Sequence, residues 1–486
     1  MISFHNHRNI SSKDTHIIFL INGIPIKTMT IMDKLVSQVI RNNQNQHGSI
    51  NIYYIQNGET MYKMLCCNLG DINAMTSRDF VELGSQITLK IQTEKINKIV
   101  MHDSEEMEEY ENIFLSILEG VCLRNYMFNK FFSSRAKNNQ LFLKLIDIHT
   151  ESLVLQEKIA EQEIIVRATH LTRDLVSTPS NHLTPSHFIQ ICKSLKDYGV
   201  SVTVLSKQEL VRLKMNALLA VSKGSEEDPY VAIMQWSGIK SNENNIVLAG
   251  KGVTFDSGGI NIKPSGRSLS LMKYDMGGAA VVTAVLQSLA ERKAPVNVIG
   301  IIGIAENMIS GKAQRPGDVV YSMSGHTIEV DNTDAEGRMI LADILWYAQE
   351  KFAPKILIDL ATLTGAVQVS LGNHMAGLFS NCDTLSRQIS ESGQRVGEEV
   401  WRLPMSKFYD NLIDSEIADV KNTGRNGAGS ITAAQFLQRF IQKECRWAHL
   451  DIAGVNWMDT DYCTSPKGAT GFGVRLLNKF FKTYYE

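Results

Sequence analysis

The stretch IVLAGKGVTFDSGG, residues 246–259, passes from a short apolar run, Ile246 to Gly250, into a glycine-rich loop that carries Lys251 and Asp256. Such a run, closed by glycine, reads as a central strand buried on both faces. The loop after it sits where open α/β sheets place ligands, and its glycines let the backbone turn sharply. Working outward, strand-like runs recur at 200–205, 230–236, 296–304, 356–360 and 449–453, mostly with helical patterns between them. That alternation predicts a mixed, mostly parallel sheet covered on both faces. Before it, 156–176 reads as a connecting helix that ends near Pro179. Residues 1–155 alternate shorter strands (17–21, 50–55) and a helix (113–127), with a solvated acidic helix face at 105–111 and a polar loop at 42–46. The expected fold class is thus α/β: a smaller N-terminal α/β domain (1–155), the connecting helix, and a larger C-terminal α/β domain (177–486).

A chain of 486 residues exceeds one small core, in keeping with two domains. The 49 Lys and Arg nearly cancel the 51 Asp and Glu, so no overall field favours nucleic acid, a membrane or an acidic partner. No run of 18 apolar residues and no signal-peptide pattern is evident. The 7 cysteines are scattered without a C-x-x-C spacing, which argues against a disulfide framework or a zinc–thiolate site.

Carboxylates gather between 250 and 365. Asp256 lies in the first loop, Asp275 follows Met272-Lys273-Tyr274, and Asp334 and Glu336 lie in Asn332-Thr333-Asp334-Ala335-Glu336-Gly337-Arg338. Read as extended chain, Asp334 and Glu336 point the same way, two residues apart. Carboxylates brought together from three strand ends need counter-charge, and divalent cations with oxygen ligands supply it. Taken singly, each motif has a plainer reading. A glycine-rich loop can cradle phosphate, but G-x-x-x-x-G-K-[ST] is absent and Lys251 precedes the loop's aspartate. Asp275 alone would be a helix N-cap, and Lys263 alone a surface lysine.

Taken together, the residues from Gly250 to Gly259, from Met272 to Met276, and from Asn332 to Arg338 resemble the leucyl aminopeptidase family, cytosolic aminopeptidases with two metal ions. Asp174-Leu175-Val176 with Thr178-Pro179-Ser180-Asn181, Arg315-Pro316-Gly317-Asp318, Thr362-Leu363-Thr364-Gly365 and His449 to Gly454 extend the similarity, which covers roughly 170–486. Residues 1–155 match the family's smaller domain in length and alternation only. This sequence departs from the pattern by one extra residue between Lys263 and Asp275, by Asn456 where some relatives carry an apolar residue, and by Ile309 in place of proline.

The resemblance implies hydrolysis of the N-terminal peptide bond of peptides, with Leu and other apolar residues preferred. Lys251, Asp256, Asp275, Asp334 and Glu336 would ligate two divalent ions, Mn or Zn, with Co or Mg as alternatives. Lys251 would bind as the neutral amine. Two-metal hydrolases, aminopeptidases included, hold their ions roughly 3.5–4 Å apart and can share a hydroxide between them. Lys263 would stay an ammonium and stabilise the oxyanion, while Arg338 would hold bicarbonate as the base. Met272, Thr362, Leu363, Gly365, Ala453 and Asn456 would line the substrate pocket. The same resemblance implies a cytoplasmic homohexamer. Two rivals fare worse. A metal-dependent phosphohydrolase does not account for the paired lysines, and DNA binding as a second role finds no basic stripe, since charges balance over residues 1–150.

Overall fold

The computed structural model describes residues 2–5, 11–21, 24–25, 48–103, 108–133, 143–240, 246–425 and 427–486. The polar tract at 42–46 and the first part of the acidic run lie outside them; the remainder of that run opens the helix Glu108–Arg124. Two compact units emerge. One comprises Met1–Val166 with Asp461–Pro466, the other Arg167–Thr460 with Lys467–Glu486. The long helix Leu153–Ser177 contributes residues to both, because the division falls inside it.

The larger unit is built on an eight-stranded sheet in the order Val400–Arg402, Ala376–Ser380, Arg446–Asp451, Ile356–Ala361, Ile246–Asp256, Asn297–Asn307, Tyr230–Ser237, Ser201–Leu205. The middle four strands run parallel. Antiparallel pairs flank them on either side. The strand expected at 246–250 is buried, and it runs on through Lys251 to Asp256, so both residues sit on the strand and not in the loop after it. Side chains alternate between two cores. Leu248, Ile358, Val298 and Leu450 pack with the helices Pro185–Ser194, Gly277–Glu291 and Val474–Tyr484. Val247, Ala249, Leu357 and Trp447 pack with Asn216–Ser222, Gly337–Phe352 and Gly429–Gln438.

The run Leu269–Glu291 is long and apolar enough to cross a bilayer by composition alone, although no unbroken 18-residue apolar stretch occurs. Most of its apolar window is buried inside the protein, so here it forms core. Its helix approaches the sheet closely because Gly278 has no side chain. A Cβ there would lie 1.9 Å from the carbonyl oxygen of Leu360.

The smaller unit has a seven-stranded sheet in the order Ile2–His5, Leu145–His149, Lys98–His102, Thr15–Ile21, Thr60–Gly70, Ile50–Asn57, with Ile24–Pro25 paired to Thr15–Ile21. Parallel register sets His5 beside His149 and His149 beside His102. From the next strand, His16 brings Nδ1 to 3.2 Å from Nε2 of His102, while its Nε2 faces the Ser11 carbonyl at 2.9 Å. Burial, then the neighbouring His16 and His149, pushes His102 down to about 3. His16 and His149 are also lowered, burial being the main cause.

This row makes the smaller unit acid-labile. Its histidines are depressed in the folded state, so below the ordinary value of about 6.5 the unfolded chain binds more protons. Stability is complete above that pH and falls as pH drops toward about 3, where His102 itself protonates. For His102 alone the slope approaches about 1.4 kcal/mol per pH unit. Urea unfolding of this unit at pH 7.5 and pH 5 should show the loss, and His102→Phe should flatten the dependence. Equal midpoints at both pH values would contradict it.

Candidate functional site

The carboxyl ends of the parallel strands form one rim. Asp256 and Asn307 end adjacent strands in register, Thr362 follows Ile356–Ala361, and Asp451 ends Arg446–Asp451. Asp256 is the one member of the carboxylate set on a strand end, against the expectation of three. Asp275 instead follows a single 3-10 turn, Met272–Tyr274, two residues before the helix Gly277–Glu291. It closes that turn as its C-cap and is not the N-cap of the helix, a position that belongs to Met276.

Nor is the Asp334–Glu336 segment extended. The Asn332 side chain accepts from the Asp334 N–H at 2.8 Å and the Asn332 carbonyl from the Ala335 N–H at 3.2 Å, which folds a turn. Glu336 already has helical dihedrals, φ −77° and ψ −36°, and the helix starts at Gly337. The turn still brings the carboxylates together. Oxygens of Asp256, Asp334 and Glu336 lie within 4.8 Å of one another.

Two lysines interleave with these acids. Lys251 Nζ lies 2.8 Å from Asp275 Oδ1, 2.9 Å from Glu336 Oε1 and 2.9 Å from the Thr362 carbonyl oxygen. Lys263 Nζ lies 2.8 Å from Asp256 Oδ2 and 2.6 Å from Asp334 Oδ1. Four carboxylates against two ammonium groups leave two formal negative charges in a largely buried space. Burial raises the Asp275, Glu336 and Asp334 carboxyls, each opposed by the lysines. Burial also opposes the Lys251 and Lys263 ammoniums, yet the surrounding carboxylates outweigh it and hold both above the ordinary lysine value. Lys251 is therefore an ammonium in this environment, and becoming a metal ligand requires loss of that proton. Gly337 gives it room: a Cβ there would sit 2.5 Å from Lys251 Cε.

The donor set fits divalent cations. Asp275 Oδ2 and Glu336 Oε2 are buried without any hydrogen-bond partner, and hard carboxylate oxygens suit Mn, Mg or Zn. Arg338 is buried nearby with its Nε equally unpartnered. Burial pulls its guanidinium down to about 10, with Glu336 and Asp451 opposing, so it remains charged at neutral pH.

Uncharged groups brace the loops, and the sequence reading missed most of them. Asp256 Oδ1 accepts from the Gly258 N–H and the Asn307 amide, each at 2.8 Å. Asn307 also donates to the Thr333 carbonyl at 3.0 Å. The Thr333 hydroxyl donates to Gly258 O at 2.6 Å, and Asn422 clasps 331–332 from its far side. The reading ended the Asn297–Asn307 strand three residues early, at 304. Following the register with Asp256 to the strand's end would have found Asn307.

Of the pocket residues, Thr362 sends its hydroxyl to Asp275 Oδ1 at 2.7 Å. Leu363 and Ala453 are part-exposed and Gly365 is exposed. Met272 starts the 3-10 turn before Asp275. Asn456 is 1% exposed, donates to the Tyr274 carbonyl at 3.1 Å and lies over Gly277, so it braces the turn and presents little surface.

Replacing Asn307 tests this bracing. Asn307→Ala strips one partner from buried Asp256 and another from the Thr333 carbonyl, a loss of roughly 1–3 kcal/mol in urea unfolding of the larger unit. Asn307→Asp adds a fifth carboxylate and should be worse. An Asn307→Asp protein as stable as the parent would contradict the charge reading.

Residues 170–478 match the cytosol aminopeptidase family, catalytic domain. A probable cytosol aminopeptidase of Phytoplasma mali is 42% identical over 453 residues, covering 92% of this chain and 91% of that protein. One from Rickettsia felis is 42% identical over 461 residues, covering 93% and 92%. Among solved structures, the bottromycin maturation enzyme BotP in complex with Mn superposes with a TM-score of 0.85 at 30% identity, covering 98% of this chain and all of that one.

Proposed function

The chain belongs to the cytosol aminopeptidase family, and we propose that it removes N-terminal residues from peptides, Leu and other apolar residues preferred, using two divalent cations. One observation carries the reading. Asp256, Asp334 and Glu336 converge within 4.8 Å, with two buried carboxylate oxygens near them that lack any partner. Asp256, Asp275, Asp334 and Glu336 would hold the cations, with Lys251 as the fifth ligand. Such cations would supply Lewis acidity and lower the pKa of water at the site. Mn is the natural first choice, because BotP was solved with it.

The chain's own residues do the rest. Four carboxylates balance two divalent charges, which leaves the Lys263 ammonium as surplus positive charge. Lys263 is partly exposed at the site, where it would stabilise the oxyanion that develops on the scissile carbonyl. Arg338, charged and with a free buried Nε, would hold bicarbonate, a group that supplies a base when bound. The Leu363 and Ala453 turns offer a small, mostly apolar wall for the substrate side chain. Acting from the chain end follows if the free α-amine of the peptide is held beside the carboxylates.

Chelation decides the core of this proposal. EDTA should abolish Leu-p-nitroanilide hydrolysis, and Mn, Zn or Co should restore it; full activity in metal-free protein would refute it. Asp334→Asn, Glu336→Gln and Lys251→Ala should lose bound metal, measured by elemental analysis. Lys263→Ala should keep its metal and slow kcat by roughly 10²–10³-fold. Identical metal content and rate for the two lysine variants would overturn their separate roles. The homohexamer expected from resemblance would be refuted by light scattering that finds a stable 54.3 kDa monomer.

A further inference from the structure

Asp451 ends the Arg446–Asp451 strand, fully buried, and belongs to no carboxylate cluster. Its Oδ1 accepts from the backbone N–H of Leu363 at 3.1 Å, Thr364 at 3.5 Å and Ala453 at 3.2 Å. Its Oδ2 accepts from the Thr364 hydroxyl at 2.6 Å. That hydroxyl in turn accepts from the Val367 N–H at 3.2 Å and caps the helix Gly365–Leu371. One carboxylate therefore ties the turn after Ile356–Ala361 to the turn after its own strand. At its other end the first turn is held by Thr362, whose carbonyl accepts from Lys251 and whose hydroxyl donates to Asp275.

Behind Asp451 the strand carries His449, buried, with Nδ1 2.6 Å from Asp359 Oδ1. Asp359 also accepts from the Trp447 indole N–H at 2.7 Å. Asp359 and Asp451 both favour the charged His449, and Asp451 in turn favours Arg338. Burial raises the Asp451 carboxyl, against His449, the Thr364 hydroxyl and the Ala453 and Leu363 backbone N–H groups. A buried carboxylate with this many donors needs no water and has little freedom to move.

We propose that Asp451 is a positioning residue for the substrate. It fixes the Leu363–Gly365 wall against Ala453, so that the side chain of a peptide's first residue is registered against the carboxylate and lysine cluster. The proposal rests on the aminopeptidase reading for its substrate, but the ordering of the loop stands apart from it. Asp451 touches no reacting atom; it acts through the backbone of Leu363, Thr364 and Ala453.

The test uses the Mn-loaded full-length protein with Asp451→Asn, Thr364→Val and the double variant. Asp451→Asn should raise KM for Leu-p-nitroanilide roughly tenfold and change kcat by less than about threefold, the pattern of lost ground-state positioning. The preference for Leu over Ala substrates should narrow, with bound Mn unchanged. Amide hydrogen exchange at 362–368 should quicken. Thr364→Val should act in the same direction more mildly, and the effect of the double variant should fall short of the sum of the two single effects. Faster exchange with unchanged KM and selectivity would overturn the positioning role. Unchanged exchange in either variant would overturn the tie itself. A parent protein inactive with every cation would refute the aminopeptidase reading and leave the exchange result to judge the loop. Thr364→Val carries the test if Asp451→Asn does not fold.

Discussion

Four carboxylates share a largely buried space, and the surrounding structure answers that repulsion. Oxygens of three of them fall within 4.8 Å, and Asp275 Oδ2 and Glu336 Oε2 have no hydrogen-bond partner. Lys251 and Lys263 answer part of the charge, each by bridging two acids. The remainder calls for cations. The sheet serves this arrangement. Parallel strands end at one rim, and glycines at 278 and 337 let a helix and a lysine approach more closely than side chains would permit.

Much of this was legible in the sequence. The unbroken apolar run before Lys251 announced a central strand, and the order of the three acidic motifs announced one site, because few other constraints require those residues in that sequence. Local conformation was harder to read. In sequence, Asp334 and Glu336 read as extended because alternation is the simplest way for residues two apart to face one point. The chain uses a turn closed by the Asn332 side chain instead, then enters a helix at once. An asparagine turn and an extended bend look alike in composition; the hydrogen bond that separates them is a matter of geometry.

The bracing residues were harder still. Asn307, Thr333, Asn422 and Asp451 are ordinary residue types at ordinary spacings, and their roles exist only across strands and loops distant in sequence. Asn456 shows the converse. Resemblance implied a place in the pocket for it, although it departs from the pattern of some relatives, and its amide is spent on the Tyr274 carbonyl.

The brace around Asp256 and 331–333 is made of amides, a hydroxyl and backbone groups, none of which changes charge between mild acid and mild base. The donors of the brace and the chemistry of the site thus respond to different variables. Shifting the proton balance among the lysines and acids alters what the rim can attract, while the amides and the hydroxyl keep their charge state. A separate source of acid sensitivity is the imidazole row of the smaller unit, which holds none of the proposed ligands. An enzyme arranged this way has two separable acid limits, one for its chemistry and one for its integrity, and natural variation can move either without disturbing the other.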